Sequence, residues 1–361
     1  MQNKIRNDRE KNFNCSNFDL SAKHKIKMRI TLLFFTLIFI MAVIVSASLG
    51  RYQIALVDIV RAMYEKIIGV SSDRSSVSNE VNIILFNIRL PRIAIAILVG
   101  AALSAAGTAF QSVFNNPMVS PDVLGASSGA AFFAATAILI GLPKIMLISM
   151  SFLGGVSAIV IVLTLCSFLR YKSLLSLILT GMVAGSLFTA AISLLKYMAD
   201  PTNELPAITY WLMGSFSSAG SSDLRLVALP ILLGLLLLYI LRYRLNILSM
   251  GSSTAQSLGM NVRLNRYLIL FIASLLTSSS VAVSGMIAWV GLVIPHFAKL
   301  IFSVDARYAI PGSILLGASF MLIVDDLARL LTTSEIPLGV LTAFVGAPFF
   351  MFLIVREGRK I

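Results

Sequence analysis

The residues able to do covalent or metal chemistry are few in this chain. There are two histidines, His24 and His296, and two cysteines, Cys15 and Cys166. A metal site needs three or four ligands at defined spacing, and neither histidine has companions at such spacing. Cys15 lies in a polar tail and Cys166 in an apolar stretch, with neither pairing nor metal spacing, so both read as free thiols. No His-Glu-x-x-His occurs. No Gly-Lys dipeptide exists either, so there is no Walker A loop to cradle a nucleotide. The expectation is a chain with no catalytic residue, no metal and no cofactor, whose ATP dependence, if any, comes from a partner.

What remains is charge set against apolar runs. Arg89-Leu90-Pro91-Arg92 opens the second apolar run, with Pro91 read at the first helical position. On the topology below, both arginines face outward, against the charge rule, and sit at the end of a helix dipole that disfavours cations by ~0.3–1 kcal/mol. Two uses fit: docking an acidic partner, or anchoring to lipid headgroups. Arg329 follows Asp325 by four residues, so the two can pair across one turn, whether or not Arg329 also faces a partner. A charge at the bilayer centre costs ~2.5–3.5 kcal/mol, which places Asp325, Asp326 and Arg329 near an interface. A second basic cluster, Arg242, Arg244, Arg263 and Arg266, encloses residues 246–261. There Gly251 and Gly259 bracket Ser252, Ser253, Ala255 and Leu258, the last two read on one helical face. The pattern predicts one or two small helices outside the bilayer. They form either a handle that another protein grips or an ordinary cytoplasmic loop.

The elements that must position these residues are membrane helices. The chain has 361 residues, 58% hydrophobic and 12% charged, which suits a polytopic all-α membrane protein. The net charge of +13 fits cytoplasmic loops rich in Lys and Arg better than nucleic acid. Ten spans are predicted: 30–49, 93–113, 123–141, 145–169, 174–195, 226–241, two within 267–298 with a turn near Gly285, 309–331 and 336–355. Residues 1–29 read as a cytoplasmic basic tail, 30–356 as the transmembrane domain and 357–361 as a cytoplasmic C-terminus. Within the domain, 50–91 reads as an extracellular loop carrying an amphipathic helix at Ile54, Val57, Val60, Met63 and Ile67. Of the 29 Lys and Arg, 19 fall on the segments this topology places inside, so both termini are expected in the cytoplasm. Gly125–Gly129 and Gly181–Gly185 are small-xxx-small patterns for close helix packing. No acidic residue lies in mid-span, which weighs against an ion-coupled secondary transporter, the rival reading from another class.

These residues resemble a known family. Arg89-Leu-Pro-Arg92, Val99-Gly-Ala-Ala-Leu103, Leu124-Gly-Ala-Ser-Ser-Gly-Ala-Ala131, Tyr210-Trp-Leu-Met-Gly214, Ser257-Leu-Gly259, Trp289-Val-Gly-Leu-Val-Ile-Pro-His296, Glu335-Ile-Pro-Leu-Gly339 and Val345-Gly-Ala-Pro-Phe349 occur in the order and spacing of the permease subunit of iron-siderophore, haem and cobalamin ABC importers. The likeness runs from about residue 88 to 356. It implies the type II importer permease fold, with ten spans per subunit. It also implies two cytoplasmic ATPase subunits, an extracytoplasmic substrate-binding protein and a second permease subunit, identical or paralogous, in the bacterial cytoplasmic membrane. Arg89, Arg92 and Arg329 would meet acids of the binding protein. Gly251, Ser252, Ser253, Ala255, Leu258 and Gly259 would form the coupling helices seated in the ATPase. The substrate implied is an iron(III)-siderophore complex; cobalamin, haem and molybdate are the alternatives. The sequence departs from the family at Gly251-Ser252-Ser253, where many members carry an acid after the glycine. It departs again at Ile287-Ala288-Trp289, in place of Ile-Gly-Phe, and at Asp326, a second acid beside Asp325.

Overall fold

The computed structural model describes residues 26–50, 52, 54–68, 78–169 and 173–358. Most of the 1–29 tail, with Cys15 and His24, the break at 71–77, Arg170, Lys172 and residues 359–361 lie outside them.

Among the described residues the chain is all-helical. In order come α1 (Ile26–Ser48), α2 (Leu56–Ile68), α3 (Asn79–Ile83), α4 (Leu90–Phe114), α5 (Ala126–Leu139), α6 (Lys144–Phe168), α7 (Leu174–Met198) and α8 (Glu204–Met213). Then follow α9 (Ser221–Ile240), α10 (Arg242–Ser249), α11 (Ser252–Ser257), α12 (Val262–Ser284), α13 (Val290–Ile301), α14 (Ala306–Leu330) and α15 (Leu338–Gly358). Seven helices are long and apolar enough to cross a membrane. Three shorter apolar helices, α5, α13 and the first part of α15, complete the ten.

Two boundaries differ from the sequence reading. The first helix is already formed at Ile26, where the described residues begin, so it includes Lys27 and Arg29 ahead of the predicted start at residue 30. The second span is longer still. A π-helical segment, Ile84–Arg89, joins α3 to α4, so one continuous helix runs from Asn79 to Phe114. Pro91 therefore lies inside a helix, not at its start. Proline cannot donate the usual bond four residues back. Just before it the helix widens, and the Leu90 amide donates to the Leu85 carbonyl, five residues back.

α4 is the central post. It is buried along nearly its whole length by small residues, among them Ala101, Ala102, Ala105, Ala106 and Ala109, and it packs against α9, α12, α13 and α14. Phe110, Ile159, Ile231, Leu238, Ile269 and Leu276 fill the core beside it. A second apolar cluster gathers Ile59, Leu85, Ile95, Phe216, Met321 and Leu322 near the α4 N-terminus. The 181–185 pattern does what its glycines predict: a Cβ at Gly181 would overlap the Val123 carbonyl oxygen. The outer flanks of α1, α6, α7 and α9 expose large apolar side chains such as Leu37, Phe168, Leu187 and Leu229, as lipid-facing surfaces do.

The turn predicted near Gly285 is present, at φ +69°, and a Cβ there would strike the Trp211 carbonyl. It opens into an unwound stretch, 285–289, between α12 and α13. Trp289 begins α13 at φ +71°, a left-handed conformation that bulky residues rarely adopt. Gly346 packs tightly on its side chain.

Candidate functional site

The structure brings Arg89, Arg92 and Arg329 together, and it adds three carboxylates. All lie where α1 ends, α4 begins and α14 ends. Arg92 donates through Nε and Nη2 to Asp325 Oδ1, at 3.1 and 2.8 Å, and through Nε to Oδ2 at 3.0 Å. Its Nη1 and Nη2 grip both oxygens of Glu335 at 2.9 Å each. Arg329 Nε lies 3.3 Å from Asp325 Oδ2, the pairing across one turn that the sequence predicts. Its Nη2 also pairs with Asp326, which accepts a 2.8 Å bond from Ser46 of α1.

Among the described residues Arg89 pairs with carbonyls, not with a carboxylate. Its Nη1 donates to the carbonyls of Ala47 at 2.6 Å and Ser48 at 3.1 Å, and its Nη2 to that of Tyr52. The last carbonyls of a helix lack internal partners and carry the negative end of its dipole. Arg89 thus caps α1 from the side.

This geometry corrects the electrostatic argument made from sequence. The arginines are not at a helix N-terminus, so no dipole opposes them. They are also interior: Arg89, Arg92 and Arg329 are only 4, 6 and 8% exposed. Three guanidinium groups and three carboxylates balance in charge, which is how ions survive burial. Glu335, on the 331–337 link before α15, is the member most open to solvent among those paired with Arg92, its side chain 20% exposed against 0% for Asp325.

Helices α9 and α12, of 20 and 23 residues and so ~30 Å long, separate this end from the segment holding the second cluster. Two small helices form there, as predicted: α10, then α11, with Gly251 at φ +102° and Gly259 at φ +76° as the turns between rods. Ser252, Ser253, Leu258 and both glycines lie on the outside or partly so, Leu258 at 62% exposure. Ala255 does not share their face. It is fully buried with Leu248 and Val262, because α11 has only six residues and Leu258 falls beyond its end. Arg266 donates to Ser252 Oγ at 3.1 Å and Arg244 to Asn265 Oδ1 at 2.8 Å. Arg242 stacks on Tyr239 and Tyr243, and Arg263 on Tyr267.

Asn246 is a residue the sequence reading passed over. Its Nδ2 donates to Asp305 Oδ1 at 2.6 Å and its Oδ1 accepts from the Ala306 amide at 2.7 Å, pinning α10 to the start of α14. Burial disfavours the charged Asp305, but hydrogen bonds from Arg307 and Asn246 outweigh it and hold the carboxyl below its ordinary range.

Two recesses lie at the arginine end. A cleft of about 320 Å³ runs under α8, lined by Tyr210, Trp211, Ser215 and Lys144, the last paired with buried Asp223. A more open recess of about 620 Å³, bounded by Met213, Met286, Gly339, Phe344 and Pro348, has no charged residue in its wall. Among the described residues no group of three His, Cys, Asp or Glu is placed to hold a metal. Cys166 is buried, and the His296 ring packs edge-on to Phe349.

Comparison with known proteins gives four matches. The profile described as the FecCD transport family matches residues 37–356. The molybdate import system permease protein of Haemophilus influenzae is 37% identical over 324 residues, covering 90% of this chain and 95% of that protein. The Fe(3+)-citrate import system permease protein of Bacillus subtilis is 38% identical over 275 residues, covering 75% and 82%. A solved structure, described as an inward-facing conformation of a metal-chelate type ABC transporter, superposes with a TM-score of 0.80 at 36% identity. It covers 90% of this chain and 98% of its own.

Proposed function

This chain belongs to the FecCD transport family of ABC importer permeases, and from that premise we propose that it carries an iron(III)-siderophore complex across the cytoplasmic membrane by alternating access. The observation that carries the substrate class is the recess beside α15. It is roomy, apolar and free of charge. A bare cation crossing there would need carboxylates to replace its water. A chelate arrives with its metal already masked, and an apolar wall binds it weakly enough to let it go.

A second reading has its own support. The molybdate permease matches over 95% of its length, and molybdate is the alternative cargo. A bare dianion, however, calls for positive or N–H donors, and the recess wall offers no cation.

On this reading the α11 end faces the cytoplasm and the arginine end faces outward. Two ATPase subunits hold α10 and α11 through the exposed Ser252, Ser253 and Leu258, while Ala255 supports the turn from within. Closure of the ATPases pulls on α9 and α12, which reach the far end. An extracytoplasmic binding protein docks over the arginine cluster through its own acidic residues. A second permease subunit closes the open side of the recess.

The test is uptake by proteoliposomes holding the permease, its ATPase subunits and its binding protein. ATP-dependent entry of a ferric hydroxamate or catecholate, with no entry of molybdate, is expected. Molybdate entry without ferric chelate would replace the first reading by the second. Purification that recovers no nucleotide-binding subunit with this chain would overturn the assembly.

A further inference from the structure

The geometry points to Glu335 as a built-in stand-in for the docking partner: it holds the face of Arg92 that an acidic side chain of the binding protein takes, and docking proceeds by exchange of one carboxylate for the other. The inference rests on the docking role proposed above for the arginine end.

Arg92 is used on two sides. Asp325 on the inner side is fully buried, is shared with Arg329, and sits on the rigid end of α14. Glu335 on the other side is partly exposed and belongs to the non-helical link 331–337. Of the two carboxylates, only Glu335 can leave without stranding a buried charge. Its two bonds to Arg92 match the fork geometry that any incoming carboxylate would use. An acid arriving from outside therefore finds Arg92 already occupied, and gains it by releasing Glu335 to water.

The release would be felt beyond the ion pair. The same link leads directly into α15, whose first amide, Leu338, donates to the Gly214 carbonyl at 2.9 Å. Gly339 lies against the carbonyls of Met213 and Met286. Glu335 on Arg92 is thus one of the ties that hold the first turn of α15 against α8 and the unwound 285–289 stretch, the rim of the apolar recess. Exchange cuts that tie and couples docking to the recess.

The experiment uses the full permease–ATPase complex in nanodiscs with its purified binding protein. Two quantities are read, the Kd for the binding protein and the ATPase rate without it. Glu335→Gln keeps the shape and removes the competing charge. The expected result is a Kd lower by about tenfold, the size of one charge-assisted contact no longer displaced, and a basal ATPase rate raised several-fold. Glu335→Ala should shift both in the same direction. Arg92→Gln should raise the Kd at least tenfold. An unchanged or higher Kd in both Glu335 variants, with Arg92→Gln still weakening docking, overturns the exchange and leaves the docking role standing. A Kd insensitive to Arg92→Gln overturns the docking role itself.

Discussion

The two ends of this bundle carry similar numbers of arginines and treat them in opposite ways. At one end three guanidinium groups are buried among Asp325, Asp326, Glu335 and the last carbonyls of α1. At the other, residues 242–266 supply four arginines and no acid at all. Their partners there are a hydroxyl, an amide, a backbone carbonyl and tyrosine rings. The first set is held within the chain, Arg92 and Arg329 by carboxylates and Arg89 by carbonyls. The second is left with unmet valence, which lipid phosphates or an acidic protein surface can supply. The lesson is that a count of basic residues at a membrane boundary does not reveal which of them are available.

The comparison can be broken most directly at Arg92. Arg92→Ala leaves Asp325 and Glu335 facing each other without their shared cation, and breaking a buried pair costs ~3–5 kcal/mol. A large fall in the unfolding temperature of the detergent-solubilised protein is expected; a stability equal to the parent's would mean the cluster is not closed. Next in size is Ala255→Leu. A larger side chain at a filled site costs ~1–3 kcal/mol, so the variant should be destabilised. Full stability would place Ala255 on the surface after all. Arg89→Ala uncaps α1 and removes bonds to charged groups worth ~1–3 kcal/mol in sum. Its signature is local: faster cysteine labelling at Ser46 or Ala47 with the rest of the bundle intact.

At the open end the same kind of change should hardly touch stability. Leu258→Glu alters an exposed residue, for which ~0.5 kcal/mol is the usual limit, yet it should lower recovery of the ATPase subunit in a pull-down. Undiminished recovery would remove Leu258 from the contact. The smallest effect concerns Asp305, whose folded carboxyl is held below its ordinary range. A depressed carboxyl contributes stability above its unfolded pKa and loses it as pH falls through the folded value. The parent should therefore lose more stability between neutral and strongly acidic pH than Asp305→Asn does, read from parallel melts.

Much of this organisation was legible in the sequence. Apolar runs separated by Pro, Gly and charge marked ten helices, and Asp325–Arg329 was readable because helix spacing alone decides it. Gly251 and Gly259 announced their turns. Other features depend on which helices meet. Glu335 reaches Arg92 across 243 residues of chain and Ser46 reaches Asp326 across 280, and no local pattern encodes either. Ala255 was misplaced because six residues are too few for a helical period to choose a side. Pro91 was read as a start because a proline after a polar loop usually is one, and the π-helical widening that accommodates it has no apolar signature.

That widening has a consequence for how the chain tolerates change in length. A π segment holds one residue more than the α-helix it interrupts. Deleting one residue between Ile84 and Ile88 would let the rod close into regular α geometry, and what precedes the cut would keep nearly its present rotation about the axis. The same deletion in the regular turns of α4 has no slack to draw on: it would swivel everything before the cut by about 100°, carrying fully enclosed Leu85 out of its place. A single deletion within the π segment should therefore be milder than one a few residues further along the same helix.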